Sequence, residues 1–346
     1  MLGRDTPRVK LRDLRGLYWS SCPDTEALAE LAARGLALVV DLTEGECSYE
    51  LPPGVEKLEY PIPDFSYVAF EGVLVDVALP VLRRLERGEK VLVHCRGGVG
   101  RSGVTVAMIL GLRDGLSAGE ARSRLSRLGF VGEVPSQALA FRWFFRARDL
   151  VGARWIEAAV GLMRSVGRGR ASYWGQLADH ASTVAGIALD VLEAVSDRFG
   201  VSRSDMVSAY AAGLLHDVGR VLGSEEDHHA VGAVRAAELC GALGGCDARV
   251  VYKAVFHHRW WTDLLGDEEL RSLGFAAQLV AAAVRLADAV PNAYEGEGVY
   301  SGVKLGGSEL VVYLDGSVCY QLEERLRMKS LAFSELSGLE VRAQAV

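Results

Sequence analysis

The chain has 346 residues, half of them apolar, enough for one large domain or two ordinary ones. Its net charge of −7 argues against nucleic acid as the main partner, since a phosphate backbone attracts positive surfaces; RNA-end substrates are not excluded. Arg outnumbers Lys 32 to 6 and Asn292 is the single Asn, a composition that suits a heat-adapted protein, although genome composition explains the Arg excess equally well.

The N-terminal stretch "MLGRDTPRVKLRDLRG" is charged throughout and does not read as a signal peptide. "LALVVDL" (36–42) is a continuous apolar run, hence a buried strand, and "KLEYPIP" a short second strand ended by its prolines. "VLVDVALPVLRRLERG" predicts an amphipathic helix closed by Gly88. "KVLVH" predicts a buried strand running into the decapeptide "HCRGGVGRSG" (His94–Gly103). Helices follow in "VTVAMILGLRDG", in "SAGEARSRLSRLG" with Ser117 as cap, and in "SQALAFRWFFRARDLV". Strands alternating with helices predict an α/β domain over 1–150, with a central, mostly parallel sheet. "WIEAAVGLMRSVGRGR" predicts a helical linker over 151–170 that ends in Gly and Arg. Helical spacing then dominates, predicting an all-α domain over 171–293. In a small α+β extension, 294–346, "GSELVVYLDGSVCYQL" reads as a hairpin with its turn near Asp315-Gly316, and "EERLRMKSLAFSEL" as a closing helix. Six cysteines without a CxxC pair read as reduced thiols of a cytoplasmic protein. No stretch of about 18 uncharged apolar residues predicts a membrane span.

The decapeptide carries the first candidate site. A strand delivers His94 and Cys95 to its end, and a helix starts near Ser102. The loop between them, Arg96, Gly97, Gly98, Val99 and Gly100, carries three glycines and can curl freely. Curled amides beside a helix N-terminus bind a dianionic phosphate and favour a thiolate at Cys95. Arg101 closes the loop with a planar fork that can hold two phosphate oxygens, and Ser102 can donate a hydrogen bond to the sulfur. His94 belongs to this thiolate site, orienting the loop or tuning Cys95. The pattern His-Cys, five residues, Arg, Ser resembles the phosphate loop of cysteine-dependent dual-specificity and protein tyrosine phosphatases. That resemblance implies a phosphocysteine intermediate with no cofactor. It makes Asp64, in "EYPIPDF", the general acid, and Gln137, in "VPSQALAF", a water-positioning residue. "GLYWSSCP" and "DLTEGE" are similar to the family but receive no chemistry; Glu44 is placed near the pocket and Cys47 is a candidate resolving thiol for an oxidised Cys95.

The other six histidines lie between His180 and His258, on or beside helices with apolar faces. Imidazoles with carboxylates suit Fe, Mn, Zn or Ni, and helices can gather distant ligands into one core site. The order His … His-Asp … Asp resembles the HD-domain phosphohydrolases. The resemblance implies His180, His216, Asp217 and Asp288 as the core set for one or two divalent metals, with Asp217 bridging two. His228, preferred to His229 because it stands four before Gly232, and His257 and His258 extend the set as in two-metal members. Arg220 stands where Lys is common in the cyclic-dinucleotide branch, and that branch's Gly-Tyr-Pro motif is absent.

Together the resemblances imply a bifunctional phosphohydrolase, with phosphomonoester cleavage at Cys95 and metal-dependent phosphoester or phosphodiester cleavage in the helical domain. The substrates they imply are phosphoproteins, nucleotides or other phosphoesters. The alternative is a cysteine-dependent phosphatase whose helical domain is a regulatory metal- or ligand-binding module. A third reading, an interaction protein with a dead phosphatase, fits poorly with Cys95, Arg101 and Asp64 all present.

Overall fold

The computed structural model describes residues 10–130, 132, 134–167, 171–224, 226–290 and 299–346. The end of the Gly/Arg-rich link and the expected 293/294 boundary lie outside the described residues. The chain divides into two compact units, Met1–Phe145 and Arg146–Val346.

The first unit opens with β1 (Arg12–Leu14) and β2 (Leu17–Ser20), two strands too short to announce themselves by periodicity. Helix α1 (Thr25–Ala33) is capped by Asp24, whose carboxylate accepts from the Ala27 N–H. β3 (Leu36–Asp41) and β4 (Glu56–Glu59) follow, then α2 (Phe70–Val73), a π-helical turn over Leu74–Ala78, and α3 (Leu79–Glu86). The single amphipathic helix predicted here is thus interrupted. Pro80 in the first turn of α3 has no N–H to give the preceding turn, and the π-turn, with the Leu79 N–H reaching Leu74, absorbs the mismatch. β5 (Lys90–His94) leads directly into the decapeptide and α4 (Arg101–Arg113). α5 (Ala118–Ser126) carries the expected Ser117 cap, closed reciprocally by Glu120, and α6 (Pro135–Val151) follows. Among the described residues the sheet has the order β1-β2-β5-β3-β4, parallel except for the β1–β2 pair, with flanking helices. β5 is central and buried, as its uninterrupted apolar run requires.

The second unit is helical through α7 (Ala153–Ser165), α8 (Tyr173–Phe199), α9 (Arg203–Leu215), a 3₁₀ turn at Val218–Val221, α10 (His228–Leu243), α11 (Ala248–Phe256), α12 (Glu268–Ser272) and α13 (Phe275–Ala287). Helices α8, α9, α11 and α13 pack on one another, with α10 against α11. The extension then supplies β6 (Val299–Gly306), β7 (Glu309–Asp315), α14 (Tyr320–Ser337) and β8 (Glu340–Ala345). Here the sequence reading needs correction. The hairpin is β6–β7, turning at Gly307-Ser308, with Gly307 at φ +60°. Asp315-Gly316 instead ends β7, and β8 returns parallel to it. α14 packs on α13, which brings the extension to the helical site.

The cysteine expectation is also corrected. Cys22 pairs with Cys47 and Cys240 with Cys246, and Cys95 and Cys319 are in neither disulfide. Cys47 is therefore tied to Cys22 and is not a free resolving thiol. Sequence spacing could not show this pairing: Cys22 follows β2 and Cys47 follows β3, and both strands flank β5. No described helix is long and apolar enough to cross a membrane.

Candidate functional sites

The decapeptide is fixed from several directions. The Leu42 N–H donates to the His94 carbonyl at 3.1 Å, and the Cys22 N–H to the Arg96 carbonyl at 3.0 Å. The Gly98 carbonyl accepts from Arg12 at 3.1 Å and the Gly100 carbonyl from the Val104 N–H at 3.0 Å. Across a trans peptide the next N–H points opposite the carbonyl, so the amides of Gly97, Val99 and Arg101 turn away from those partners. Gly98 is obligatory: its φ is +64°, and a Cβ would lie 2.4 Å from the Ser21 nitrogen and 2.5 Å from the Ser20 carbonyl carbon. Arg96 and Gly97 are exposed and Val99 is half-buried.

Cys95 is buried at the end of β5, with its sulfur 3.1 Å from the Ser102 hydroxyl. Ser102 in turn accepts from the Trp19 indole at 2.9 Å. Arg101 is only 2% exposed. It donates to the Ile62 carbonyl at 2.9 Å, pairs with Asp64 at 2.9 Å and faces Glu46 at 3.4 Å. Asp64, one-third exposed, also has Arg96 at 3.9 Å. The glutamate that faces Arg101 beside Asp64 is thus Glu46, and Glu44 donates its N–H to the Glu46 carboxylate. Gln137 is buried near the start of α6, with its amide 3.4 Å from the Ser66 carbonyl, two residues beyond Asp64.

His94 points away from solvent into a polar nest. Its Nε2 is 2.8 Å from the Tyr49 hydroxyl, which donates to Asp41 at 3.2 Å, and its Nδ1 is 3.9 Å from the Cys47 sulfur. Burial lowers the His94 pKa below its ordinary value, and the Asp41 carboxylate offsets this only in part. Asp41 itself stays below the usual carboxylate range: burial opposes ionisation, but hydrogen bonds from Thr43 and the neighbouring His94 and Lys57 outweigh it.

The helical unit gathers its residues around Asp217. One carboxylate oxygen of Asp217 lies 3.6 Å from Nε2 of both His180 and His216. The other lies 3.3 Å from His228 Nε2 and 3.6 Å from His258 Nε2. Asp288 joins the first group through Oδ1, 3.3 Å from His180 and 3.6 Å from His216. The result is two donor groups sharing one carboxylate, His180–His216–Asp217 and Asp217–His228–His258. His216 Nδ1 is 2.8 Å from the Gly213 carbonyl and His258 Nδ1 is 2.6 Å from that of Val255. A carbonyl only accepts, so each Nδ1 carries a proton and each ring, when neutral, presents a bare Nε2 to the cluster; for His216, Asp217 and Asp288 outweigh burial and raise the pKa. Burial holds the His258 pKa down to about 3, in the neutral form that a ligand needs. Asp217 remains ionised: burial opposes this, but His216, His228 and His258 outweigh it. Burial likewise opposes ionisation of Asp288, and Lys329, His180 and His216 outweigh it. This set of ionised oxygens and bare imidazoles fits a divalent transition metal in each group.

His257 is not brought into the cluster. Its Nε2 is 2.8 Å from Asp267 and its Nδ1 3.1 Å from the Thr262 hydroxyl. It sits one residue before His258 where α11 ends, so the backbone aims the two rings apart. His229 likewise lies against Phe256 and Trp261. Three cations that sequence reasoning did not assign border the cluster. Arg220 donates to Asp217 at 2.7 Å, Lys329 of α14 pairs with Asp288 Oδ2, and Arg259 comes within 3.5 Å of His228 Nε2. The signal for Lys329 was faint: it is one of six Lys in an Arg-rich chain, 41 residues beyond Asp288. Trp19 and Glu46 lay in stretches recognised as family-like, without a role.

Comparison with known proteins agrees with this division. A family model described as a polymorphic toxin system DSP-PTPase phosphatase matches residues 15–115, and the HD domain model matches residues 177–293. The two matches fall one in each compact unit, the phosphatase model in the first and the HD domain model in the second. It is similar to the putative tyrosine phosphatase 067L of Invertebrate iridescent virus 3, with 33% identity over 111 residues, 28% of this chain and 42% of that protein. The chain thus spans less than half the length of that relative. Among solved structures, Tk-PTP in the active form is 36% identical, covering 41% of this chain and 98% of that one at a TM-score of 0.35. Human DUSP28 is 22% identical over 41% and 96%, with a TM-score of 0.38. TpbA of P. aeruginosa is 24% identical over 44% and 92%, with a TM-score of 0.33.

Proposed function

We propose that the chain is a bifunctional phosphohydrolase with two independent sites. The observation that carries the first activity is the 2.9 Å pair of Arg101 with Asp64, which joins the loop of Cys95 to the residue expected as its acid. In this reading the curled loop and Arg101 bind the phosphate of a monoester. The Cys95 thiolate attacks phosphorus, the ester P–O bond breaks, and Asp64 gives its proton to the leaving oxygen. Water then attacks the phosphocysteine, Asp64 takes its proton, and the S–P bond breaks to release inorganic phosphate. Ser102, aligned by Trp19, stabilises the departing sulfur by hydrogen bonding. His94 and Gln137 act by positioning, the first from behind the loop and the second beside the segment after Asp64.

In the HD domain His180, His216, Asp217 and Asp288 would hold one divalent metal, with Asp217, His228 and His258 holding a second. A transition metal bound there supplies positive charge to a phosphate and lowers the pKa of water. The chain's own contribution is to keep two carboxylates ionised, to present bare Nε2 atoms, and to border the cluster with Arg220 and Arg259, cations able to pair with phosphate oxygens.

The test is a screen of phosphomonoesters and phosphodiesters, with and without chelator, on wild type, Cys95→Ser and Asp217→Ala. The expected result is a chelator-insensitive monoesterase lost only in Cys95→Ser, and a chelator-sensitive activity lost only in Asp217→Ala. If Asp217→Ala keeps both its metal content and every hydrolytic rate, the HD domain is a regulatory module and the bifunctional reading fails.

A further inference from the structure

Directly after His258, the chain continues as Arg259, Trp260 and Trp261. Both indoles are about half exposed, 50% for Trp260 and 48% for Trp261, and stand edge-to-face with ring centres 5.9 Å apart. Exposure of two adjacent tryptophans is costly in a free protein surface, because each ring carries a large apolar area. Their position relates them to the donor cluster. The Arg259 guanidinium lies 4.1 Å over the Trp261 ring, while its NH1 reaches within 3.5 Å of His228 Nε2. One side chain thus spans from the aromatic surface to the candidate metal ligands. Arg220 adds a second cation on the Asp217 side. The His229 ring stands edge-to-face with Trp261, ring centres 6.2 Å apart.

We propose that Arg259, Trp260 and Trp261 form a nucleoside-phosphate subsite of the HD domain. The base stacks on the exposed indole surface, and Arg259 directs the phosphate toward the donor cluster. This rests on the reading of that cluster as a phosphoester site. The chemistry points to this occupant because cations and donor cluster call for an anion, while flat rings beside them call for a flat, apolar partner. A sugar phosphate without a base satisfies only the first demand.

The test is calorimetric binding to the metal-loaded full chain, with Cys95 blocked by iodoacetate so that the first site takes no phosphate. The probes are the methylenephosphonate analogues of AMP and of methyl riboside 5-phosphate, which share the anion but differ in the base. Wild type is expected to bind the AMP analogue about 10-fold more tightly, within the range of one base stacked on an aromatic ring. Trp260→Ala and Trp261→Ala should erode that ratio while leaving the base-free analogue unchanged. Trp→Phe at the same positions should restore part of it, and Arg259→Ala should weaken both analogues alike. Equal binding of the two analogues by wild type, or an unchanged ratio in both Trp→Ala variants, overturns the subsite and leaves the phosphoester reading standing. If neither analogue binds the metal-loaded chain, the subsite falls, and the phosphoester reading stands or falls with the hydrolysis of the Asp217→Ala variant.

Discussion

His257 and His258 are adjacent, both almost fully buried, and chemically identical, yet they do different work. His258 turns its Nε2 to Asp217 and anchors Nδ1 on the Val255 carbonyl. His257 bonds Asp267 and Thr262, and its carbonyl accepts from Arg285. Its pKa is lowered first by burial, with Asp267 pulling the other way. Sequence could only nominate the pair, because which ring enters a cluster depends on where α11 ends. Metal analysis of purified variants separates them. His258→Ala should lose about half of a two-metal content, or weaken binding about 10- to 100-fold, whereas His257→Ala should retain metal and lose stability instead. Equal metal loss in both would contradict the geometry.

At the scale of elements, the unit that matters in the first site is β5–loop–α4, and its legibility in sequence was high. A buried strand, a glycine-rich loop and a helix start are all local patterns, so the positions of Cys95, Arg101 and Ser102 followed from chain order. What holds the unit in place was not local. β2 supplies Trp19 to Ser102, β1 supplies Arg12 to the Gly98 carbonyl, and the segment after β3 supplies Glu46 to Arg101. The Cys22–Cys47 disulfide ties the segments that follow β2 and β3, one of which donates to the loop at Arg96. A closed loop of 25 residues stabilises a fold by roughly 3 kcal/mol. Dithiothreitol should therefore lower the melting temperature of the first unit, and Cys22→Ala/Cys47→Ala should melt at the reduced value with or without reductant. An unchanged melting temperature on confirmed reduction would remove the stabilising role.

Over the whole molecule, several histidines are buried in the neutral form, His94 in the first unit and His257 and His258 in the second. Their folded pKa values lie below the ordinary value of about 6.5. Between the folded and unfolded values the unfolded chain binds more protons, so stability rises with pH there. The contribution is complete above about pH 6.5 and is lost as pH falls toward the folded values. His216 has the opposite sign: burial opposes its protonation, but Asp217 and Asp288 outweigh that and raise its pKa. The buried neutral rings outnumber it, so urea midpoints should fall between pH 7.5 and pH 5.5. His94→Asn should flatten that slope for the first unit. Midpoints independent of pH would show that the imidazoles are not held neutral.

The sequence by itself determined the α/β and helical division, the phosphate-loop pattern, and the chain order of six histidines and two aspartates. Each is a local or sequential property, set by periodicity, glycine placement and residue type. Tertiary structure decided what depends on distance between remote segments. It made Asp217 the shared carboxylate, sent His257 to Asp267, and paired Cys22 with Cys47. It turned the extension at Gly307, folded α14 back so that Lys329 meets Asp288, and set Arg259 between Trp261 and His228. The physical reason is the same throughout: a side chain's chemistry is fixed by its type, but its partner is fixed by packing that joins residues tens of positions apart.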